Sequence, residues 1–325
     1  MKALVTSKTG PSPVMTSEER EIPRRQPGFS LVRLHGATIN QLSNTIRTGG
    51  YGETPVPLVQ GNEASGIIEE SDSFAKGTRV AIYGSGQLGI TEEGLYQQWA
   101  SVENRRIVAL PDTLSLDEGA AFTVNYLTAY QALTRIGHIQ AGQYVLISGA
   151  SGSVGHALVQ VARVLGAKPI ALVSSESKAQ HVLKVGAYAA INWTLQDAGE
   201  EIRKLTGGAG ADSAFDPVGG PLFLVLYNAV RPRGRVVSVG FTAGKEVSLN
   251  LLDLIVNEKV IEGYAVHNDT PAQDREGLDK LVQLAGTGLL KPFIDSVYSF
   301  EDVEKGYDRL MSRQATGSII LSLAQ

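Results

Sequence analysis

The chain has 325 residues, 43% of them hydrophobic and 19% charged, and a formal net charge of −4. That is room for two ordinary domains with their own cores, and the sequence shows no basic run of the kind a nucleic-acid or membrane partner would favour. With no cysteine anywhere, disulfides, thiolate nucleophiles and cysteine-ligated zinc are excluded together.

The opening residues, MKALVTSKTG, lack the long apolar stretch of a secretory signal. No run approaches the roughly 18 apolar residues that span a bilayer, so a cytoplasmic enzyme is the expectation. The N-terminal third is rich in Gly and Pro, with short β-prone runs at Ser30–Leu34, Ser65–Ile68 and Arg79–Tyr83 that predict an irregular, mostly β domain. Ser115-Leu-Asp-Glu118 is a capping-box pattern, and it predicts a long helix through Gly119–Arg135.

The texture then changes. Strands are predicted at Tyr144–Ser148, Lys168–Val173, Ala189–Asn192, Ser213–Asp216, Arg235–Val239 and Val260–Tyr264, with helical segments between them. Such alternation signals βαβ units and a parallel sheet covered by helices on both faces. Val154, Leu158, Val161 and Leu165 would form the apolar stripe of the first helix. Beyond about residue 267 the pattern predicts a helix, a strand at Ile294–Tyr298, a second helix opened by Ser299 with Asp302 in its first turn, and a final strand at Ser318–Ser322. There is no internal repeat.

Tyr144-Val-Leu-Ile-Ser-Gly-Ala-Ser-Gly-Ser-Val-Gly155 reads as a hydrophobic strand, a glycine-rich turn and the start of a helix. Gly149 and Gly152 let the backbone turn sharply and approach a pyrophosphate, Gly155 lets the helix pack on the strand, and the helix N-terminus aims unpaired N–H groups at the phosphates. This is a Rossmann-type dinucleotide site. Where the second strand ends, an NAD enzyme would carry an acid for the ribose 2′-hydroxyl, and here Ser174 and Ser175 stand, with Lys178 close by. Hydroxyls and a lysine can hold a 2′-phosphate that a carboxylate would repel, which points to NADPH. Glu176 runs against that reading, and a lysine on a solvated helix face is the plainer account of Lys178.

These residues resemble the medium-chain dehydrogenase/reductases, and within them the zinc-free quinone oxidoreductase branch that includes zeta-crystallin. The turn Ala150-Ser-Gly-Ser-Val-Gly155 has that branch's form. Asn40 through Arg47, Gly49 and Tyr51 resemble its Asn…Arg-x-Gly-x-Tyr stretch, and Gly61-Asn-Glu63-Ala-Ser-Gly66 its Gly-x-Glu-x-x-Gly. Leu127–Tyr130, Asp216–Gly220, Gly234–Gly240 and Thr316-Gly-Ser-Ile-Ile also fit, so the resemblance spans nearly the whole chain. It departs at Ser43, where an acid is usual, at Thr45, where a tyrosine is frequent, in a shortened stretch after Gly66, and at Trp193, where a tyrosine often flanks the cofactor phosphate.

The resemblance implies an α/β fold, with a Rossmann-type doubly wound parallel sheet at 122–267 and a mostly β, GroES-like catalytic domain at 1–121 and 268–325. It implies cofactor contacts from Thr128, Ala150, Ser151, Gly152, Ser153, Val154, Gly155, Ser174, Ser175, Lys178, Trp193, Val218, Gly240 and Phe241. It also implies a homodimer paired through Val260–Tyr264. The usual zinc-binding histidine after Gly61 is Asn62, and the five histidines show no paired ligand spacing, so no metal is expected and they read as structural or surface residues.

Without zinc to polarise a carbonyl, the hydride acceptor must already be electrophilic, as quinones, enones and enoyl thioesters are. The leading reading is an NADPH-dependent reductase of quinones or α,β-unsaturated carbonyls, a small electrophilic substrate with no nucleic-acid or membrane partner. Tyr51 matches the proton-donating tyrosine of related enoyl thioester reductases, or is an aromatic lid. Asn40 supports the carbonyl or the nicotinamide ribose, or is an ordinary turn asparagine. Arg47 holds its loop or a substrate anion. An enoyl thioester reductase, with Arg24, Arg25, Arg105 and Arg106 as cations for a CoA or carrier, and a non-catalytic NADPH sensor or crystallin-like protein are the alternatives.

Overall fold

A computed structural model describes residues 1–52 and 54–324. The chain divides into two compact units, Met1–Leu127 with Val266–Gln325, and Thr128–Ala265. The divisions lie a few residues from 121/122 and 267/268, and helix Thr123–Gln131 runs across the first of them.

The first unit is mostly β. Its larger sheet orders the strands Ile294–Tyr298, Ser318–Ser322, Phe29–Ile39, Glu63–Glu70, Arg79–Tyr83 and Ile107–Ala109, with Trp99–Glu103 also paired to Phe29–Ile39. All pairings are antiparallel except that of Ile294–Tyr298 with Ser318–Ser322. A smaller sheet joins Val14–Glu19, Lys2–Lys8 and Leu58–Val59. Alternating inward residues such as Val32, Leu34, Val80 and Ile82 make the core.

The long helix expected over Gly119–Arg135 is broken. Ser115 and Glu118 do form the capping box, with Glu118 N–H donating to Ser115 Oγ at 3.2 Å and Ser115 N–H to Glu118 Oε2 at 2.7 Å. The helix they open ends at Ala120, and a new one starts at Thr123. The second start is supplied from elsewhere in the unit. Val124 N–H donates to the Glu63 carboxylate at 2.9 Å, and Thr123 Oγ1 donates to the carbonyl oxygen of Ile82 at 2.9 Å. These partners lie far away in sequence, so a local capping pattern could not reveal the break.

The second unit is a six-stranded parallel sheet, ordered Ala189–Asn192, Lys168–Val173, Tyr144–Ile147, Ala211–Asp216, Val230–Ser238 and Val260–Gly263. A helix lies on each crossover, so this is a Rossmann-type doubly wound sheet whose strand order reverses beside Tyr144–Ile147. The two central strands are fully buried at Val145, Leu146, Ile147, Ala214 and Phe215. Helix Ser153–Val164 is buried over a wider face than the expected stripe. His156 and Gln160 are inside, whereas Val154 and Leu165 are only half-buried.

The tightest contact in this unit is at the turn into that helix. A Cβ on Gly155 would lie 2.1 Å from the carbonyl oxygen of Gly149 and 2.7 Å from Ala150 Cα, closer than any side chain tolerates. Gly155→Ala is therefore expected to push the helix off the turn and cost about 1–3 kcal/mol or more. Thermal unfolding would register this as a lowered Tm, and a Tm equal to that of the parent would show that the contact is not rigid.

Candidate functional site

In the second unit the turn Ser148–Gly152 leads from the central strand into helix Ser153–Val164. Gly149 takes φ +52°, where a side chain is strained, and a Cβ there would meet Val218 at 2.6 Å. Gly152 is the N-cap and has no side chain to accept from the first N–H groups of the helix. Ala150 and Ser151 are buried within the turn, and Ser153, Val154 and Gly155 form the first helical turn.

A second turn closes on the first. Asp216, fully buried at the end of the neighbouring strand, accepts through Oδ1 from Ser148 Oγ, from Val218 N–H at 2.9 Å and from Gly219 N–H at 3.0 Å. Val218 O accepts from Ala243 N–H at 2.8 Å, and Gly240 N–H donates to Asp216 O at 3.1 Å. A Cβ on Gly240 would come within 2.4 Å of Pro217 O. Gly149, Val218, Gly240 and the exposed Phe241 thus converge from three loops at the carboxyl ends of the central strands. Phe241 is 51% exposed, with Lys245 Nζ 5.3 Å from its ring centre. Asp216, the organiser, was not singled out for any role in the sequence; its signal was its place at a strand end before Pro-Val-Gly-Gly.

The outer part of the set lies at the ends of the next two strands. Trp193 N–H donates to Val173 O at 3.2 Å, which sets the backbone of this residue, 40% exposed, beside the start of Ser174–Lys178. Ser175 is the N-cap of helix Glu176–Val185, its Oγ accepting from Lys178 N–H at 3.3 Å, and Ser177 Oγ lies 3.1 Å from it. Sequence reasoning missed Ser177. Gln180 Nε2 donates to Glu176 Oε1 at 3.1 Å, an i to i+4 bond along the helix. Thr128 is buried on helix Thr123–Gln131.

In the first unit, Asn40 caps helix Gln41–Arg47. Its Oδ1 accepts from Ser43 N–H at 2.9 Å, and its Nδ2 donates to Thr38 Oγ1 at 3.0 Å and Asn62 Oδ1 at 2.8 Å. Both amide hydrogens and the carbonyl oxygen therefore already have partners. Thr38 Oγ1 in turn donates to Glu63 Oε1 at 2.8 Å. Glu63 is fully buried, and burial pushes its carboxyl up to about 7 against the donors Thr38, Val124 and Thr123. Ser43 is buried too; its Oγ accepts from Tyr96 Oη at 3.1 Å.

Arg47 is a holding residue. Its guanidinium lies 3.7 Å above the Tyr307 ring and donates to both Glu304 oxygens, at 2.9 and 2.7 Å. The chain then passes through Gly49 and Gly52, both at positive φ, with Tyr51 half-buried between them and its ring edge-on to His267 at 6.2 Å.

Among the described residues no group of three or more His, Asp or Glu side chains is arranged to hold a metal ion. Asn62 is buried and gives its amide oxygen to Asn40. Of the arginines considered for a CoA entrance, Arg25 pairs with Glu70 and Asp72, Arg105 with Glu103, and the buried Arg106 with Glu92 and Glu103. No described helix is long and apolar enough to cross a membrane.

Two family models match this chain: one described as alcohol dehydrogenase GroES-like domain over residues 26–112, and one described as zinc-binding dehydrogenase over 153–283. A quinone oxidoreductase-like protein 2 homolog from Nematostella vectensis is 32% identical over 312 residues, which cover 92% of this chain and 83% of that protein. The structure of Escherichia coli quinone oxidoreductase complexed with NADPH is similar with a TM-score of 0.87 and 26% identity, over 99% of this chain and 100% of that one. An NAD-dependent alcohol dehydrogenase is similar with a TM-score of 0.90 and 27% identity, over 100% of each chain.

Proposed function

The chain belongs to the quinone oxidoreductase branch of the medium-chain dehydrogenase/reductase superfamily and is an oxidoreductase of that type, and from that premise we propose that it is a zinc-independent, NADPH-dependent reductase of quinones or α,β-unsaturated carbonyls. The observation that carries the reading is Asn62. It stands where the superfamily's metal-binding histidine would be, in a chain without cysteine, and its amide oxygen is held by Asn40. With no ligand set for a carbonyl-polarising metal among the described residues, the acceptor would have to be activated before it arrives.

The second unit fits the dinucleotide. Two central helices, Ser153–Val164 and Pro221–Ala229, start at glycine N-caps without a side-chain cap, on either side of the point where the strand order reverses. Their N–H groups and dipoles favour phosphate there. Ser174, Ser177 and Lys178 would face a 2′-phosphate, with Ser175 holding the helix start and Trp193 beside them. When bound, NADPH supplies a hydride from its dihydronicotinamide ring to the electrophilic carbon. For an enone that carbon is the β-carbon, and Tyr51 would give a proton to the α-carbon. For a quinone the reduced oxygens can take protons from water. Asn40, its amide already satisfied, would act by fixing the start of the segment that leads to Tyr51. Three of the four arginines considered for a CoA entrance, Arg25, Arg105 and Arg106, pair with carboxylates, which weighs against the CoA-binding alternative.

We also propose a homodimer built on the edge strand Val260–Gly263. The nearby helix Leu251–Val256 exposes Leu251, Leu252, Ile255 and Val256 by 64–70% each, all on one face. An apolar face beside an open strand edge is a liability unless a second copy covers it.

Three outcomes are expected. Tyr51→Phe should oxidise NADPH with an enone at a kcat lowered roughly 10²–10⁴-fold, with a quinone much less affected; full turnover with both would make Tyr51 a lid. Lys178→Ala should weaken NADPH more than NADH by about 1–3 kcal/mol, measured by cofactor titration, and an equal loss for both would remove its 2′-phosphate role. Light scattering should give twice the chain mass at micromolar concentration and the single mass for Ile255→Glu, whereas a monomeric parent sinks the dimer.

A further inference from the structure

Tyr51 sits on a short irregular segment with no strand or helix of its own, between glycines at φ +77° and +94°. Such a segment does not by itself fix a side chain. The ring that meets it comes from the far end of the sequence. His267, in the single turn Val266–Asn268, presents its imidazole to Tyr51 with ring centres 6.2 Å apart and planes at 69°, an edge-to-face pair within the favourable range.

His267 is exposed, and it is its backbone that is closely placed. Gly86, at φ +70°, approaches so closely that a Cβ on it would lie 2.6 Å from His267 Cβ and 3.3 Å from its Cα. Glycine is needed there on both counts. On the preceding residue, Val266 O accepts from the buried Tyr83 Oη at 3.3 Å. Tyr83 ends the strand Arg79–Tyr83, so the turn bearing His267 is referred to the main sheet of the unit. Two contacts of different kinds thus set the backbone that carries the imidazole, and the imidazole meets the Tyr51 ring.

We propose that His267 is a positioning residue for Tyr51, holding the phenol by its ring edge in the orientation from which it donates. The proposal rests on the reading of Tyr51 as proton donor. It gives a role to a histidine that neither spacing nor metal chemistry explains, and it accounts for Gly86 as the residue that lets His267 come near enough.

The test uses full-length protein. The Tyr51 ring resonance is assigned by its disappearance in Tyr51→Phe, and is read in cofactor-free protein alongside kcat for an enone. His267→Ala should move that resonance and lower kcat about three- to tenfold, with the KM for NADPH unchanged. His267→Phe keeps a ring in place and should restore most of both, which separates positioning from loss of fold. An unmoved Tyr51 resonance in His267→Ala overturns the proposal. So does a His267→Ala enzyme with parental kcat when Tyr51→Phe has lost it, or a His267→Phe enzyme no better than His267→Ala. Full turnover by Tyr51→Phe would instead remove the donor reading, and the positioning role with it, whatever the resonance shows.

Discussion

The contact between Gly155 and the carbonyl oxygen of Gly149 is the constraint on which the second unit depends. It presses the first turn of helix Ser153–Val164 onto the loop that leaves the central strand, and a single methyl group would be excluded at 2.1 Å. Because the approach is that close, the helix N-terminus opens directly at the strand end with Gly152 as a bare cap. Asp216 extends the constraint sideways. One buried carboxylate oxygen gathers Ser148 from the first turn and two backbone N–H groups from the next. The anion-favouring groups are thereby preorganised before any ligand arrives, and binding need not order them.

The first unit is organised by a buried carboxyl as well. Glu63 faces Thr38 on one strand and the start of helix Thr123–Gln131, and through Thr38 it reaches Asn40. A group buried this deeply is costly unless its donors stay in place. Helix Gln41–Arg47, capped by Asn40 and held at its other end by Glu304 and Tyr307, is the result. Everything up to Arg47 is fixed by such contacts, and only then does the chain enter the glycine-flanked segment with Tyr51.

The parts legible in the sequence were those whose cause is local. Apolar runs marked the strands Lys168–Val173, Ala189–Asn192 and Ser318–Ser322, because burial on a sheet needs little but consecutive apolar residues. The glycine turn was legible for the same reason. The strands Lys2–Lys8, Val14–Glu19 and Trp99–Glu103 were not singled out: Val14–Glu19 is mostly exposed and is made a strand by pairing, whereas the buried run Ala3–Thr6 and the alternation of Trp99–Glu103 are short signals that were passed over. The break at Ala121–Phe122 lay inside a stretch without Gly or Pro after Gly119, and its partners, Glu63 and Ile82, are distant in sequence. His267 carried no signal, because its partners Gly86 and Tyr51 lie some 180 and 216 residues away along the chain.

Fold similarity does not choose the cofactor here. A neighbour described as NAD-dependent and one complexed with NADPH both align over nearly the whole chain, with TM-scores of 0.90 and 0.87. Any discrimination has to reside in side chains at the end of strand Lys168–Val173. There, the position where a carboxylate would accept from a ribose 2′-hydroxyl is a serine, and the first acid, Glu176, is bonded along its helix by Gln180. Glu176 in the first turn also complements the helix dipole, so its charge already has a local role. Lys178 then has the charge and reach to meet a phosphate, and the serine hydroxyls can turn to donate. A preference for NADPH would therefore rest on the balance between Glu176 and Lys178, two side chains of opposite charge in the first turn of the helix that Ser175 caps.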